Sequence, residues 1–419
     1  MYRKTVLDNG IRVVTESLPY FPTVSLGMWW KTGSRYETGE DNGISHFIEH
    51  MLFKGTGRRT AHDIAREIDA VGGVLNAFTG KEYTCLYSRV LRQDTDLALD
   101  LLADMYRSST FREEDIEREK HVVVQEIKMI EDNPEEWLFD LFNADYYRGD
   151  PLGLTVLGVE ESVERFTRDR LVDHFRTHHA PSNMIITGTG RIDHETLVKK
   201  VDRLFSGVQD GGAHPALSET PPGFPGIYVY EKDLEHIYLC LGTDGVSQTD
   251  RRRYALYALN AIVGGSMSSH LFQEIREKRG LVYNIFSYVN CYHGVGNFGI
   301  STSSPAESLE EVIALIKEEA SNLKKQGIAA GELAFSKEHI KGNFFISLEG
   351  SEARMGRLAK NEIYFDRFVP VKETLKQIDG VHRQEVDEMS GLIFGEPGSM
   401  ALAVLGKVDR REIERLWKS

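Results

Sequence analysis

Hydrophobic and polar positions follow the same order in the two halves of the chain. Each half begins with strand-like alternation and continues with a helical segment, a pair of strands and a long amphipathic helix. In the first half these segments are residues 23–33, 43–53, 74–90 and 94–109, and in the second half 236–245, 264–278, 281–303 and 306–327. The order predicts a duplicated α+β unit, although two unrelated α/β segments could share it by chance.

A region rich in turn-forming residues separates the two halves. Residues 205–226 contain five glycines and four prolines and show almost no apolar periodicity. We therefore predict a first domain over residues 1–208, a linker over 209–226 and a second domain over 227–419. A chain of 419 residues is also too long for one compact core.

Composition excludes several classes of protein. The formal net charge of −14 argues against nucleic acid as a partner, because phosphate binding needs a basic surface. The sequence contains no run of about 18 apolar residues, so no membrane span is indicated. The first residues lack the pattern of a secretory signal, and the three cysteines are far apart in the sequence. We therefore expect a cytoplasmic protein that binds neither nucleic acid nor membranes.

The helical segment of the first half contains the sequence H-F-I-E-H at residues 46–50. His46 and His50 are four residues apart, so they share one helix face with Cβ atoms about 6 Å apart and can hold one metal ion. Glu49 lies beside the same face, where a general base would act on a water molecule. This order of residues is that of the inverzincins. The alternative is a structural pair of histidines on an amphipathic helix.

A catalytic zinc site needs a third protein ligand and an open position. The best candidate segment is a helix predicted within residues 111–137 and ended by Asn133-Pro134. Glu119 and Glu126 are seven residues apart, so their directions around the helix axis differ by only about 20°. They lie on an otherwise apolar stripe of that helix. Buried carboxylates are unfavourable without a nearby cation. We predict Glu126 as the third ligand and Glu119 as a nearby second acid.

The corresponding segment of the second half lacks a complete motif. Aligning His46 with His270 places Glu274 where the second histidine would be. If the halves are repeats, the second domain carries a degenerate metal motif, and only the first domain binds metal.

The motif and its surroundings resemble the pitrilysin, insulin-degrading enzyme and mitochondrial processing peptidase family of zinc endopeptidases. The resemblance covers nearly the whole chain. It rests on the segments DNGISHFIEHMLFKGT, GGVLNAFTGKEYT, EREKHVVVQEIKM, MSSHLFQEIREKRGLVY and EGSEARMGRLAKNEIYF. It implies an α+β fold of two similar repeat domains, each a mainly antiparallel sheet packed with helices.

The resemblance also implies roles for individual residues. It implies one Zn²⁺ ion per chain, held by His46, His50 and Glu126, with Glu49 as the base and Glu119 as a second acid needed for activity. In the second half it implies that Arg276 and Tyr283 contact the bound peptide and help to polarise its carbonyl group. The remaining implied residues lie on a substrate-binding edge strand: Asn76, Ala77 and Phe78.

With two repeats per chain, the sequence resembles the half-length bacterial members of the family. In these, two identical chains would close into a clamshell chamber that admits peptides or unfolded segments. We therefore expect a homodimeric zinc endopeptidase with peptide substrates. The alternatives are a catalytically silent structural or partner subunit and a processing peptidase for specific precursors.

Overall fold

The computed structural model describes residues 1–208, 217, 219, 222–395 and 399–418. Most of the predicted linker, residues 209–216, 218, 220 and 221, lies outside the described residues. The chain divides into two compact units, and each is assembled from three segments. Unit 1 comprises Met1–Met129, Leu154–Ser218 and Ser347–Phe368, and unit 2 comprises Ile130–Gly153, Glu219–Ile346 and Val369–Ser419.

The predicted strands and long helices occur in the predicted order, among further elements that the sequence pattern did not predict. The strands are β1 (Tyr2–Val6), β2 (Arg12–Ser17), β3 (Thr23–Trp30), β4 (Val74–Thr79), β5 (Thr84–Leu91), β6 (Met184–Gly190), β7 (Ile227–Glu231), β8 (Ile237–Asp244), β9 (Ile285–Cys291), β10 (Gly296–Ser304) and β11 (Ala401–Gly406). The α-helices are α1 (Ile44–Leu52), α2 (Ala61–Asp69), α3 (Thr95–Ser108), α4 (Glu113–Glu131), α5 (Pro134–Tyr146), α6 (Glu160–Glu164), α7 (Arg168–His178), α8 (His194–Phe205), α9 (Arg253–Val263), α10 (Leu309–Gln326), α11 (Glu332–Ser347), α12 (Ser351–Phe365), α13 (Val371–Asp379), α14 (Arg383–Ile393) and α15 (Arg410–Lys418).

The sheets of the two units have the same connectivity. The sheet of unit 1 has the strand order β1-β2-β6-β3-β5-β4, and that of unit 2 has the order β7-β11-β8-β10-β9. In each sheet one pair is parallel, β2 with β6 and β7 with β11, and the other neighbours are antiparallel. From β2 onward the two sheets therefore match strand for strand. The predicted fold class, two similar α+β domains with mainly antiparallel sheets, is confirmed.

The same comparison changes the counterpart of the metal-motif helix. Helix α1 follows β3 and packs on β4, while α9 follows β8 and packs on β9. The element order thus pairs α1 with α9, a helix that the sequence pattern did not predict and that contains no histidine. His270 lies after α9, where residues 272–277 form a turn of π-helix. The alignment of His46 with His270 therefore does not match the element order.

Central strand β3 shows why each sheet carries helices on both faces. Its residues after Thr23 are all buried, as in a strand that is covered on both sides. Leu26 and Met28 face the core that contains α3, whereas Trp29 faces Met355 and Leu358 of α12. In unit 2, α5 covers the corresponding face of the second sheet.

Among the described residues, no helix has both the length and the apolar character that crossing a membrane would need.

Candidate metal centre

Helix α1 is held at its N-terminus by a buried carboxylate. Glu37 accepts hydrogen bonds from the backbone N–H groups of Gly43 (2.7 Å) and Ser45 (2.9 Å) and from the side chain of Asn42 (3.2 Å). Burial raises the pKa of Glu37, and these hydrogen bonds oppose the shift. The N-cap residue Gly43 has a left-handed conformation, with φ 90°, which favours glycine. The start of the motif helix is therefore fixed by residues outside the motif.

One face of α1 is buried and the other carries the polar residues. Phe47, Ile48 and Met51 pack into a core that also contains residues of α4. The hydrophobic face therefore orients the helix so that His46, Glu49 and His50 share the remaining side, as the motif spacing requires.

Helix α4 brings Glu126, the predicted third ligand, to this side. Ligand atoms of His46, His50 and Glu126 lie within 4.8 Å of one another. Glu126 Oε2 is 3.6 Å from His46 Nε2 and 3.5 Å from His50 Nε2. Two imidazole nitrogens and one carboxylate oxygen are a donor set of catalytic zinc sites, where bonds of about 2.0–2.2 Å separate neighbouring ligand atoms by about 3.3 Å. The three residues therefore fit a zinc ion in composition and in spacing.

Glu119 lies behind this group and contacts His50. His50 Nδ1 donates to Glu119 Oε1 at 2.9 Å, and Lys54 Nζ is 2.6 Å from Glu119 Oε2. With its proton on Nδ1, His50 keeps the Nε2 lone pair for a metal. Burial acts to raise the pKa of Glu119, but the hydrogen bonds from His50 and Lys54 outweigh it and lower the pKa. Lys54 was not predicted, because its role depends on a contact with another helix.

The two histidines have different environments. Burial, followed by the nearby charge of His50, lowers the pKa of His46 to about 3, so His46 is neutral at pH 7 and can act as a ligand. Burial also acts to lower the pKa of His50. The hydrogen bond to Glu119 and the charges of Glu126, Glu119 and Glu49 outweigh it, so the pKa of His50 is raised.

Glu49 is held by a residue of β4. The Thr79 hydroxyl donates to Glu49 Oε2 at 2.6 Å. Burial raises the pKa of Glu49, and the hydrogen bond from Thr79 opposes this shift. Thr79 directly follows Asn76-Ala77-Phe78 in the sequence, and only its contact with α1 identifies it as part of the centre.

Strand β4 is the edge strand of its sheet, with β5 as its neighbour. Asn76 and Phe78 are exposed and Ala77 is half-buried. The Phe78 ring packs against Trp29, with ring centres 5.5 Å apart, on the face of the strand opposite to Thr79. The three residues predicted for an edge strand therefore lie on one.

Arg276 and Tyr283 lie together within unit 2. The Arg276 guanidinium is 4.5 Å from the centre of the Phe272 ring and 5.7 Å from that of Tyr283. Tyr283 is 86% exposed, so its ring and hydroxyl are available to a ligand. Arg276 belongs to the π-helical turn Phe272–Glu277, a rare conformation that often occurs at functional sites.

Two family models match the chain. Residues 12–160 match the model of insulinase, peptidase family M16, and residues 165–339 match that of the peptidase M16 inactive domain. A Bacillus subtilis protein described as an uncharacterized zinc protease, YmxG, is 38% identical over 402 residues, which cover 96% of this chain and 98% of that protein. A Streptomyces coelicolor protein with the same description is 35% identical, with coverage of 99% and 91%.

Solved structures share the fold. A protease from Helicobacter pylori matches with a TM-score of 0.90 at 23% identity, covering 97% of this chain and 99% of its own. A peptidase M16 inactive domain from Pseudomonas fluorescens matches with a TM-score of 0.90 at 20% identity, covering 98% of each chain.

Proposed function

We propose that this chain, which belongs to the insulinase family of peptidases (peptidase family M16), is a zinc-dependent endopeptidase that hydrolyses peptides or unfolded polypeptide segments. The observation that carries the proposal is the convergence of ligand atoms from His46, His50 and Glu126 within 4.8 Å. Descriptions of the relatives as zinc proteases support the choice of metal.

His46, His50 and Glu126 would hold one ion per chain. When bound, zinc supplies a Lewis acid that polarises a water molecule and the carbonyl group of the scissile bond. Glu119 keeps His50 in the tautomer that presents Nε2, and Lys54 balances the charge of Glu119.

Glu49 serves as the general base. Its pKa is raised by burial, which makes its carboxylate a better proton acceptor than an exposed one. Thr79 holds Oε2, so Oε1 remains to take the proton from the attacking water and to deliver it to the leaving nitrogen.

The peptide binds as an added strand on β4. Main-chain hydrogen bonds with the outer edge of β4, which among the described residues pairs only with β5, would hold any extended segment, so we expect a broad substrate range. We also propose Arg276 and Tyr283 as peptide contacts, as the resemblance implies. The resemblance to half-length family members also leads us to propose that the active form is a homodimer. Sedimentation equilibrium would then give twice the mass of one chain.

Removal and return of the metal test this proposal. A quenched fluorescent peptide mixture should be cleaved by the purified chain, cleavage should stop after dialysis against a chelator, and zinc should restore it. Metal content measured on the same samples should approach one zinc per chain. A chain that binds no zinc and cleaves nothing would contradict the proposal and favour a catalytically silent subunit.

A further inference from the structure

A groove of about 410 Å³ lies between α2 and β4, close to the end of α1. Its lining is mainly apolar and includes Phe53, Ile64, Ile68 and Leu75, and one charged residue, the exposed Asp69, lies at its rim. Ile64 and Ile68 are buried, while Ala65 of α2, which also lines the groove, is exposed. The groove is therefore an open depression with an apolar floor, and none of the residues assigned to the metal centre lines it.

The groove and the general base lie on the same face of β4. Leu75 and Ala77 pack against the core of unit 1 that contains α3, and Thr79 contacts Glu49 of α1. Alternate residues of a strand point to opposite faces, so Leu75 and Thr79 point the same way, whereas Phe78 points to the other face. Four residues along a strand span about 13 Å, and this is the separation between the groove and the Thr79–Glu49 contact along β4.

A peptide that adds to β4 would pass this groove. In the described part of the chain β4 pairs only with β5, so its outer edge offers main-chain groups to an extended segment. Residues directly opposite each other in paired strands point to the same face. A peptide residue opposite Leu75 would therefore direct its side chain towards the groove, four residues from the one opposite Thr79.

We propose that this groove is a substrate subsite that takes a large apolar side chain, such as Leu, Ile, Met or Phe, about four residues from the scissile bond. The inference rests on the proposed peptidase function and adds a substrate class to it: extended segments that carry an apolar residue at this distance. Apolar pockets of this kind discriminate by about 10-fold or more between side chains, because a polar group would lose its hydration there.

The test compares cleavage profiles of the full chain and two variants. A quenched fluorescent peptide library is randomised at one position at a time on both sides of a fixed cleavage site. Ala65→Lys places a positive charge in the groove from an exposed helix position. Ala70→Lys makes the same substitution at the exposed C-cap of α2, outside the groove. Zinc content and urea unfolding midpoints establish that both variants fold.

The unaltered chain should prefer apolar over neutral polar residues (Ser, Asn and Gln) about 10-fold in kcat/KM at one position about four residues from the cleaved bond. Ala65→Lys should abolish this apolar preference at that position alone, because it places a charged side chain, with Asp69 as its i+4 neighbour, over the apolar floor. Ala70→Lys should leave the profile unchanged. A folded Ala65→Lys variant that cleaves with the unaltered profile would overturn the subsite alone. Absence of chelator-sensitive cleavage by the unaltered chain would contradict the peptidase proposal and the subsite with it.

Discussion

At the scale of single residues, the candidate metal centre depends on side chains behind the predicted ligands as much as on those ligands. His50 is oriented by Glu119, which in turn is neutralised by Lys54. His46 Nδ1 is buried and has no hydrogen-bond partner among the described residues. The orientation of His50 is therefore fixed by a defined partner, whereas that of His46 depends on packing.

Glu119→Gln should weaken zinc binding. A neutral amide accepts the His50 Nδ1 proton less strongly than a carboxylate, and loss of such a partner lowers metal affinity by about 10- to 100-fold. Competition with a fluorescent zinc chelator measures the change. Glu117→Gln is the matched control, because Glu117 lies on the same helix but is exposed and pairs with Lys120. Equal zinc affinities for the two variants would remove Glu119 from the centre.

Single residues also show where sequence reasoning stops. The common side of His46, Glu49 and His50 was predictable because helix periodicity alone places them together. The position of Glu126 beside them was predictable from its apolar stripe and the need for a third ligand, while the roles of all four residues stay predictions. Lys54, Thr79 and Glu37 were missed. Their roles depend on contacts across 30 to 65 residues or, for Glu37, on a hydrogen bond to the N-cap residue six positions later, which no local spacing rule records.

At the scale of elements, the structure agrees with the sequence where the pattern is long and regular. The predicted strand pair at 74–90 appears as β4 and β5, and the predicted helix at 94–109 as α3. Helix α4 ends at Glu131, and Pro134 begins α5, in agreement with the stop predicted at Asn133-Pro134. The segment 264–278 was expected to be a regular helix but contains a π-helical turn, and its position is fixed by tertiary contacts.

His270 provides one such contact. Its ring nitrogens lie against Glu319 of α10 and, at 2.5 Å, Glu332 of α11. The hydrogen bond to Glu319 is the main cause that raises the pKa of His270 to about 9, and the bond to Glu332 adds to it. A protonated His270 therefore links the π-helical turn that carries Arg276 to two helices of unit 2.

This link predicts a pH dependence of stability. Because the pKa of His270 is higher in the folded chain than the value of about 6.5 in the unfolded one, its contribution is complete below pH 6.5 and is lost as the pH rises through 9. Urea unfolding midpoints should fall between pH 7 and 10, and His270→Gln should reduce that fall. His339→Gln, at a half-buried position of α11 where the imidazole contacts Asn343, is the control. If the urea midpoints of His270→Gln and the unaltered chain fell equally with pH, His270 would not be the source of the pH dependence.

At the scale of the whole molecule, the sequence predicted two similar domains, but it did not predict which segments of the chain form each unit. The repeated order of alternating and helical segments predicted two similar domains, and the two sheets match in strand order. Yet α5, from the first half of the chain, packs on the sheet of unit 2, and α12, from the second half, packs on that of unit 1. Amphipathic patterns record that a helix has a buried face, but they do not record which sheet covers it.

The two units also divide the candidate chemistry. Unit 1 holds the candidate metal ligands, Glu49 and the edge strand β4, and unit 2 holds Arg276 and Tyr283. In the proposed hydrolysis, the proton transfer belongs to a single carboxylate of unit 1, Glu49, which is not one of the three candidate ligands.

The most direct test is therefore Glu49→Gln. The amide keeps the size of the side chain and can still accept the hydrogen bond from Thr79, and Glu49 is not a proposed ligand, so zinc content should stay at one per chain. The amide cannot take a proton from water, so cleavage should be largely lost. The rate of cleavage of a quenched fluorescent peptide should fall by a factor of about 10² to 10⁴. A Glu49→Gln variant that retains zinc and cleaves the peptide at the unaltered rate would contradict the account.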